Sequence, residues 1–575
     1  MSVQNYTLSA LLENSNRLYY DRTALSFADG LSYKYREVYN LTKDISLLLR
    51  SRGIKKGDKV AILSQNMPNW GITYLAVTSM GAVVIPILTD FNERELKKIL
   101  DHSGASAVFI SKKMAEKVKN GLPPNLHTVL LTDDFSLLDG DLLHKTGDTA
   151  VLKTPEQWKK QLDAAMQTDI MEPEEDDLAA ILYTSGTTGN PKGVMLTHKN
   201  LVSNAINTCH IQKVTSDDRL LSVLPLAHTY ECTIGFIIPM MNGASVYYLE
   251  KPPTAAVLVP AMQKIKPTMM LTVPLIIEKI YKLQVLAKIN GSAITRSLFK
   301  IPFFRRQLHK LAGKKLYRTF GGKLHFFGIG GAKLAADAEL FLREAGFPYA
   351  IGYGLTETSP LLAGCSPSLT RYRSTGFSLP GQQLKINNPD PVTGEGEIVA
   401  KGPNIMRGYY KNEEETKKVF TSDGWFRTGD LGAMDKDNFL YIKGRLKNMV
   451  VGPSGENIYP EEIESLINNQ SMVLESLVLE KKGRLIALVH LNYEELEKYC
   501  LDLKESAKNM QVHMGVLVKE KLNEIKQKVN SEVSNFSRVS KIIEHQSPFE
   551  KTPTQKIKRF IYQKQEEANT DQIQV

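Results

Sequence analysis

The chain has 575 residues, of which 42% are hydrophobic and 23% charged, and its net charge is +10 at pH 7. These proportions are ordinary for a globular protein with several packing units, and they exclude a fibrous or largely disordered chain. The longest weakly polar stretch, residues 74–88, is shorter than the roughly 20 residues that a membrane-spanning helix needs. The start of the chain lacks the pattern of a signal peptide, so we expect a cytoplasmic protein.

The cysteines and the charges narrow the class of protein further. Cys209, Cys232, Cys365 and Cys500 have no C-x-x-C spacing, which disfavours a zinc site or a disulfide framework. Residues 279–323 contain 12 Lys or Arg and no Asp or Glu, so removing these charges from +10 would leave −2. Bulky apolar residues such as Phe303 are interspersed with them.

Two interpretations of this basic segment stay open. Mixed basic and apolar residues are typical of a peripheral contact with an anionic membrane, here the inner face. A solvated pair of helices with an ordinary buried face is the alternative. Nucleic acid is less favoured, because no recognition motif accompanies the charge.

Apolar runs alternate with amphipathic stretches through most of the first 440 residues. Short runs followed by helical patterns predict strands at residues 59–63, 83–87, 107–110, 128–131 and 269–273. Such alternation predicts an α/β fold: a large N-terminal domain, residues 1–444, of layered, mainly parallel sheets with helices.

The pattern of residue types changes twice in the last part of the sequence. Short alternating segments with Gly and Pro, such as EGEIVAKG, predict a small β-barrel-like subdomain at about residues 365–444. Beyond it we predict a small α+β domain, residues 445–575, of a compact size. Its predicted elements are a helix at 460–469, strands at 473–480 and 485–492, and a helix at about 516–530.

The most informative stretch is residues 183–198, YTSGTTGNPKGVMLTH, after an apolar run that predicts a buried strand. Its glycines, including Gly186 and Gly189, let the backbone approach an anion closely. Its hydroxyl and ammonium donors suit a polyphosphate; they are Thr184, Ser185, Thr187, Thr188 and Lys192. A P-loop requires G-x-x-x-x-G-K-[ST], and Pro191 and Gly193 break that pattern. A plain surface turn is the remaining alternative.

This string resembles the phosphate loop of the adenylate-forming superfamily, which includes acyl-CoA synthetases, adenylation domains and luciferases. Four further segments resemble motifs of the same superfamily in the expected order. The first is LPLAHTYE, residues 224–231. In isolation His228 is more often a core histidine than a catalytic one, but the resemblance implies a place beside the acyl carboxylate, where an imidazole can form a hydrogen bond.

The second segment is GYGLTET, residues 352–358, preceded by GIGGA at 328–332. The resemblance implies that Tyr353 stacks on the adenine and that Glu357, helped by Thr184, holds Mg²⁺. It implies nucleotide contacts for Gly330, Gly331, Ala332, Tyr353, Gly354 and Thr356. Ile351 stands where relatives often carry a polar residue, which removes one side-chain hydrogen bond to adenine.

The third segment, residues 423–448, resembles the signature of fatty acyl-CoA synthetases. The resemblance implies that Asp430 accepts hydrogen bonds from the ribose hydroxyls and that Arg445 also binds the nucleotide. The fourth segment is KTPTQKIKRF, residues 551–560. Here Lys556 corresponds to the lysine that reaches the α-phosphate and the acyl carboxylate. Gln555 replaces the commoner Gly, and this departure favours the long-chain branch.

The resemblance implies a long-chain fatty acid–CoA ligase that forms acyl-AMP and pyrophosphate from a fatty acid and ATP with Mg²⁺, then transfers the acyl group to coenzyme A. It also implies a mobile C-terminal domain with its hinge at Lys447, which brings residues 451–457 to the thiol channel. The alternatives are an acyl carrier protein ligase, an acyl-AMP ligase and an inactive membrane-associated scaffold. Lys192, Glu357, Asp430 and Lys556 weigh against the scaffold. Acyl chain length and oligomeric state have no sequence signal that we can interpret.

Overall fold

The computed structural model describes residues 5–118, 122–123, 125–139, 151–162, 172–184, 191–451, 457–481, 483–502, 510–552 and 556–563. Two large sheets form the first part of the chain. The first sheet has nine strands, in the spatial order Gly408–Tyr409, Lys192–Thr197, Leu178–Thr184, Val83–Ile87, Lys59–Leu63, Ala107–Ile110, Thr128–Leu131, Leu137–Asp139 and Val151–Lys153. Its centre is parallel and its two edges are antiparallel.

The second sheet has seven strands, and all but its last pairing are parallel. Their spatial order is Tyr349–Ile351, Phe326–Ile329, Met269–Thr272, Arg219–Leu221, Ser245–Tyr248, Thr23–Phe27 and Ser32–Lys34. Helix Pro68–Ser79 packs between the two sheets and is buried along nearly its whole length. Its Trp70 and the facing Phe236 meet edge to face with ring centroids 6.4 Å apart. One hydrophobic core therefore spans both sheets.

Helices connect and cover these strands, as the alternating pattern predicts. Among the described residues up to 350, the α- and π-helices are Leu8–Tyr19, Tyr35–Ser51, Pro68–Ser79, Glu93–Ser103, Lys112–Ala115, Pro155–Leu162, His198–Ile211, Tyr230–Ile237, Ile238–Asn242, Ala255–Ile265, Pro274–Ile280, Tyr281–Leu286, Ala287–Asn290, Ala293–Phe299, Pro302–Thr319 and Ala336–Ala345. Helices Tyr230–Ile237 and Tyr281–Leu286 have the wider π-helical winding. In the part of the chain described here, no helix is long and apolar enough to cross a bilayer.

The predicted α/β class is confirmed, and the five predicted strands lie where expected, with the fifth ending one residue earlier, at Thr272. One prediction was wrong in detail. Thr128–Leu131 is followed by the antiparallel strands Leu137–Asp139 and Val151–Lys153 rather than by a helix. The strand lies near the edge of the sheet, where an antiparallel hairpin can continue the ladder without a crossover helix.

The region predicted as a β-rich subdomain contributes to two antiparallel sheets that share one small core. Its predicted start at about residue 365 stays a prediction, because two strands of one sheet precede it. The four-stranded sheet contains Gln383–Asn387, Gly396–Lys401, Phe426–Met434 and Leu440–Arg445. The three-stranded sheet contains Tyr353–Gly354, Leu361–Gly364 and Phe377–Ser378. Asn200 ties this region to helix His198–Ile211, because its side-chain amide donates to the carbonyls of Pro403 and Ile405 at 2.7 and 2.9 Å.

The last part of the chain forms a separate hydrophobic core. Strands Val473–Lys481 and Arg484–Leu491 are antiparallel, and Val539–Glu544, which the sequence did not reveal, adds a parallel third strand. The accompanying helices are Pro460–Asn468, Tyr493–Asp502 and Met510–Glu532. The α+β character is as predicted, whereas the boundary at residue 445 and the mobility of this part stay predictions.

A buried histidine gives the fold a testable pH dependence. His198 is fully buried, its Nδ1 accepts the amide hydrogen of Leu8 at 3.2 Å, and burial lowers its pKa to about 4. The unfolded chain takes up this proton near pH 6.5, whereas the folded protein takes it up only near pH 4. Unfolding should therefore become easier as the pH falls through that window, by up to about 3 kcal/mol from His198 alone.

The measurement is the urea midpoint at about pH 7.5 and pH 5. We expect His198→Asn to show a smaller drop than the wild type, since the amide does not titrate. Exposed His210 supplies the control, and His210→Asn should keep the wild-type drop. An unchanged pH dependence in His198→Asn would contradict this account.

Candidate active site

The predicted phosphate loop connects two paired strands at one edge of the parallel core. Strands Leu178–Thr184 and Lys192–Thr197 are antiparallel, and Lys192 lies directly opposite Thr184. Strand Gly408–Tyr409 pairs with the second of them. The predicted donors and glycines between the strands, Ser185, Gly186, Thr187, Thr188 and Gly189, lie outside the described residues.

Lys192 is held by a carboxylate that the sequence did not reveal. Its ammonium forms a short ion pair with Glu415 and lies 5.2 Å from the ring centroid of Tyr409. Hydrogen bonds from Lys192 and Lys418 lower the pKa of Glu415 to about 2, so this carboxylate is ionised at neutral pH. Glu415 lies in helix Glu413–Lys418, whose acidic run NEEET was the only available signal.

Glu357 and Lys192 are connected through Tyr409. Glu357 lies in the single helical turn Thr356–Thr358, and its Oε1 accepts the Tyr409 hydroxyl at 2.9 Å. Since the same Tyr409 ring lies beside the Lys192 ammonium, the two predicted phosphate-site residues are adjacent. Magnesium is usually held by only one or two carboxylates plus substrate phosphate oxygens. Among the described residues, no group of three or more acidic, His or Cys side chains is arranged to hold a metal ion. Glu357 with Thr184 as the magnesium ligands stays a prediction.

The two glycine-containing loops follow neighbouring parallel strands of the second sheet. Gly330, Gly331 and Ala332 come directly after Phe326–Ile329, and Gly352 after Tyr349–Ile351. Carboxyl ends of parallel strands are where open α/β sheets bind ligands. Gly354 admits no side chain, because a Cβ there would lie 1.9 Å from the Pro360 carbonyl oxygen. Thr356 lies in the helical turn that follows Gly354. Because the two strands are parallel neighbours, both predicted glycine motifs lie at the same edge of the sheet.

Asp430 forms a polar cluster with Tyr353 and Arg445, in which Asp430 and Tyr353 are buried and Arg445 is exposed. Its Oδ2 accepts the Tyr353 hydroxyl at 2.7 Å, and its Oδ1 lies 2.7 Å from Arg445 Nε. Burial raises the pKa of Asp430, and the positive charge of Arg445 opposes that shift. Tyr353 is only 9% exposed, with its hydroxyl on Asp430. Stacking of its ring on adenine stays a prediction.

His228 is arranged as a neutral hydrogen-bond donor. Its Nδ1 accepts the backbone amide hydrogen of Tyr230 at 3.2 Å, which in the neutral ring places the proton on Nε2. Burial lowers the pKa of His228 to about 4, and the nearby positive charge of Lys556 acts in the same direction. His228 therefore presents an Nε2–H group at pH 7 within electrostatic reach of Lys556.

Lys556 comes from the far end of the chain and lies within electrostatic reach of Asp430, Glu357 and Arg445. Enclosure by protein atoms lowers its pKa, as does Arg445, while the negative charges of Asp430 and Glu357 act in the opposite direction. Residue 556 as a whole is exposed. Arg559 fixes the following segment, with its guanidinium 2.7 Å from both Glu464 Oε2 and the Val478 carbonyl.

The predicted hinge residue lies outside this cluster. Lys447 is exposed in the short turn Leu446–Asn448, between Arg445 and the last part of the chain. Asn448 donates to Glu461 Oε1 at 2.6 Å, which joins the turn to helix Pro460–Asn468. Within the predicted thiol-channel loop, residues 452–456 lie outside the described part of the chain.

The family model for the AMP-binding enzyme matches residues 12–410, which is more than two-thirds of the chain. The chain belongs to the AMP-binding enzyme family. Two relatives agree with this membership. The putative acyl-CoA synthetase YngI of Bacillus subtilis is 29% identical over 502 residues, covering 82% of this chain and 84% of YngI. The long-chain-fatty-acid–CoA ligase FadD15 of Mycobacterium bovis is 30% identical over 500 residues, covering 80% and 77%.

A solved structure agrees at the level of the fold. ATP-bound MatB from Rhodopseudomonas palustris has a TM-score of 0.74, 24% identity, and coverage of 98% of this chain and 99% of MatB. Family membership and the two relatives together support an adenylate-forming acyl-CoA ligase. The predicted recognition of this family is confirmed.

Proposed function

We propose that this AMP-binding enzyme activates a long-chain fatty acid with ATP and transfers the acyl group to coenzyme A. The observation that carries the proposal is that Lys556 lies within electrostatic reach of His228, Asp430 and Glu357. These residues come from different regions of the chain, and each belongs to a segment that resembles an adenylate-forming motif. A cleft with this charge pattern can bring two anions together.

We assign nucleotide binding mainly to three loops. Two follow strands Phe326–Ile329 and Tyr349–Ile351, and the third connects strands Leu178–Thr184 and Lys192–Thr197. Phosphate contacts go to Thr184, Ser185, Gly186, Thr187, Thr188, Gly189 and Lys192. Adenosine contacts go to Gly330, Gly331, Ala332, Tyr353, Gly354, Thr356, Asp430 and Arg445. Because Lys192 is paired with Glu415 in this structure, ATP phosphates have to compete with that carboxylate for the ammonium.

The first reaction joins two anions, so the site has to reduce their repulsion. The fatty acid carboxylate attacks the α-phosphorus of ATP, a new O–P bond forms, and pyrophosphate leaves. The Nε2–H of His228 orients the carboxylate, and the Lys556 ammonium lies between the reacting charges. Magnesium held by Glu357 and Thr184 would supply further positive charge on phosphate oxygens. Catalysis of this kind depends on positioning and electrostatics rather than on a protein nucleophile.

In the second reaction the thiol of coenzyme A attacks the acyl carbonyl and AMP leaves. Lys556 occupies the cleft near the acyl phosphate, where it obstructs an incoming thiol. Rotation of the last part of the chain about Lys447 removes this obstruction. The exposed position of Lys447 in a short turn suits a residue whose dihedrals change.

We expect Lys447→Pro to impair thioester formation more than adenylation. Proline fixes φ near −65°, so the turn can no longer adopt a second backbone conformation. The two half-reactions are measured separately, as pyrophosphate release from fatty acid and ATP, and as thioester formation from supplied acyl-AMP. The loss in the second should be at least about tenfold larger than in the first.

Lys447→Ala is the matched control, because it removes the side chain and leaves φ free. It should retain both half-reactions within a few-fold of the wild type. Unchanged thioester formation in Lys447→Pro would refute the hinge assignment.

The acyl substrate is the finer part of the proposal. Its support is the TPTQKIKR stretch, which resembles the long-chain branch, and the likeness to the ligase FadD15. A panel of carboxylates from acetate to oleate, read out as pyrophosphate release and thioester formation, tests it. Highest kcat/KM for long chains with coenzyme A supports the proposal, and a preference for short acids overturns it.

The same assay separates the rival functions. Thioester formed only on acyl carrier protein indicates an acyl carrier protein ligase. Pyrophosphate release without a thioester on either acceptor indicates an acyl-AMP ligase. Absence of pyrophosphate release with every acid would indicate an inactive scaffold.

A further inference from the structure

Helices Ala293–Phe299 and Pro302–Thr319 present a surface that combines large apolar and basic side chains. Ile294, Phe303 and Leu311 are 72%, 64% and 69% exposed. We name this surface the basic apolar face; it comprises Ile294, Lys300, Ile301, Phe303, Phe304, Lys310, Leu311, Lys314 and Lys315. Contiguous exposed apolar residues are uncommon on a monomer surface and usually mark an interaction site.

The opposite side of helix Pro302–Thr319 is already packed within the chain. A Cβ on Gly313 would lie 2.4 Å from the Cβ of Ala345, so the two helices are in close contact. Arg305 Nη2 lies 2.8 Å from Glu344 Oε1, and His309 Nδ1 lies 2.7 Å from Glu344 Oε2. The helix is therefore held by its inner side, and its outer side is left for a partner.

On the outer side, residues follow the spacing of one helical stripe. Phe303, Lys310, Lys314 and Arg318 recur at intervals of seven, four and four residues, and Leu311 is adjacent. The N-terminal end of the stripe is apolar, and its later positions towards the C-terminus carry cationic side chains. This order gives an apolar contact with a cationic border, as in helices that lie in a membrane interface.

The charge of the surroundings favours an anionic partner. Residues 279–323 contain no Asp or Glu that could neutralise the face internally. The ammonium groups of Lys288 and Lys315 are close to each other, and the side-chain contact with Lys315, together with its charge, lowers the pKa of Lys288. An anion placed between them would relieve that repulsion.

We propose that the basic apolar face docks on an anionic lipid bilayer, with its apolar side chains among the headgroups and its lysines on lipid phosphates. A second copy of the chain is a poorer occupant, because an isologous contact would bring two cationic faces together. Nucleic acid would use the cations but leave the aliphatic and aromatic side chains in water. The inference does not depend on the proposed function, since lipid binding is measured without any substrate.

The experiment is co-sedimentation of the full chain with vesicles of phosphatidylglycerol or phosphatidylcholine. We expect at least tenfold stronger binding to phosphatidylglycerol, weakened by salt. The variants Lys310→Glu/Lys314→Glu and Phe303→Ser/Leu311→Ser should each weaken binding at least tenfold. Thermal midpoints close to the wild type verify that these surface variants are folded.

Matched controls carry the same changes elsewhere on the surface. Exposed Lys97 and Lys213 supply Lys97→Glu/Lys213→Glu, and exposed Leu369 and Val392 supply Leu369→Ser/Val392→Ser. Both controls should bind phosphatidylglycerol as the wild type does. The proposal is overturned if the wild type does not bind the vesicles, if controls and face variants lose binding equally, if duplex DNA or RNA competes the protein off the vesicles, or if the face variants abolish self-association but not lipid binding.

Discussion

Replacing Lys556 by Ala is expected to lower pyrophosphate release from fatty acid and ATP by at least about 10²–10³-fold. The variant loses an ammonium whose charge acts on His228 and which Asp430 and Glu357 influence in turn. Without it, the carboxylate and the α-phosphate meet with less charge neutralisation. Thioester formation from supplied acyl-AMP should stay within a few-fold of the wild type, since this half-reaction does not require the lysine in the cleft.

Lys558 provides the matched control two residues further on. Its Nζ lies 3.9 Å from Glu550 Oε2, and Lys558→Ala removes an ammonium from the same segment without altering the cleft. Both half-reactions should be close to wild type in this control. Equal losses of the two half-reactions in Lys556→Ala would show that the residue supports the fold of the segment and not the adenylation step.

The second large effect is expected for Glu357→Gln. Pyrophosphate release at fixed magnesium should fall by about 10²-fold, and the magnesium concentration for half-maximal rate should rise. The amide oxygen of Gln can still accept the Tyr409 hydroxyl, so the local contact at 2.9 Å is retained while the negative charge is lost. The rate is measured over a magnesium titration at saturating ATP.

Tyr409→Phe supplies the complementary change. It removes the hydrogen bond to Glu357 and keeps the carboxylate, so its loss of rate should be smaller and its magnesium dependence unchanged. If Glu357→Gln has the wild-type magnesium dependence, the assignment of Glu357 as a metal ligand is wrong.

Local patterns in the sequence determined much of the fold. The apolar runs 59–63, 83–87 and 107–110 are buried on both faces, which makes each a recognisable parallel strand. The glycine loops and the TPTQKIKR stretch were also visible, because turn chemistry and charge pattern are local properties. A helix was wrongly predicted after Thr128–Leu131 because a local pattern does not show where a strand lies in its sheet. The position of this strand near the sheet edge decided that a hairpin follows it.

The tertiary structure alone decided which of these residues meet. Lys192 pairs with Glu415, 223 positions away, and Tyr353 reaches Asp430, 77 positions away. The approach of Lys556 to Asp430 and Glu357 likewise depends on how the last part of the chain packs on the rest. Such contacts follow from strand order and from packing between separate cores, and neither is encoded in a local stretch of sequence. The sequence therefore determined which chemical groups are available, and the fold decided which of them act on the same substrate.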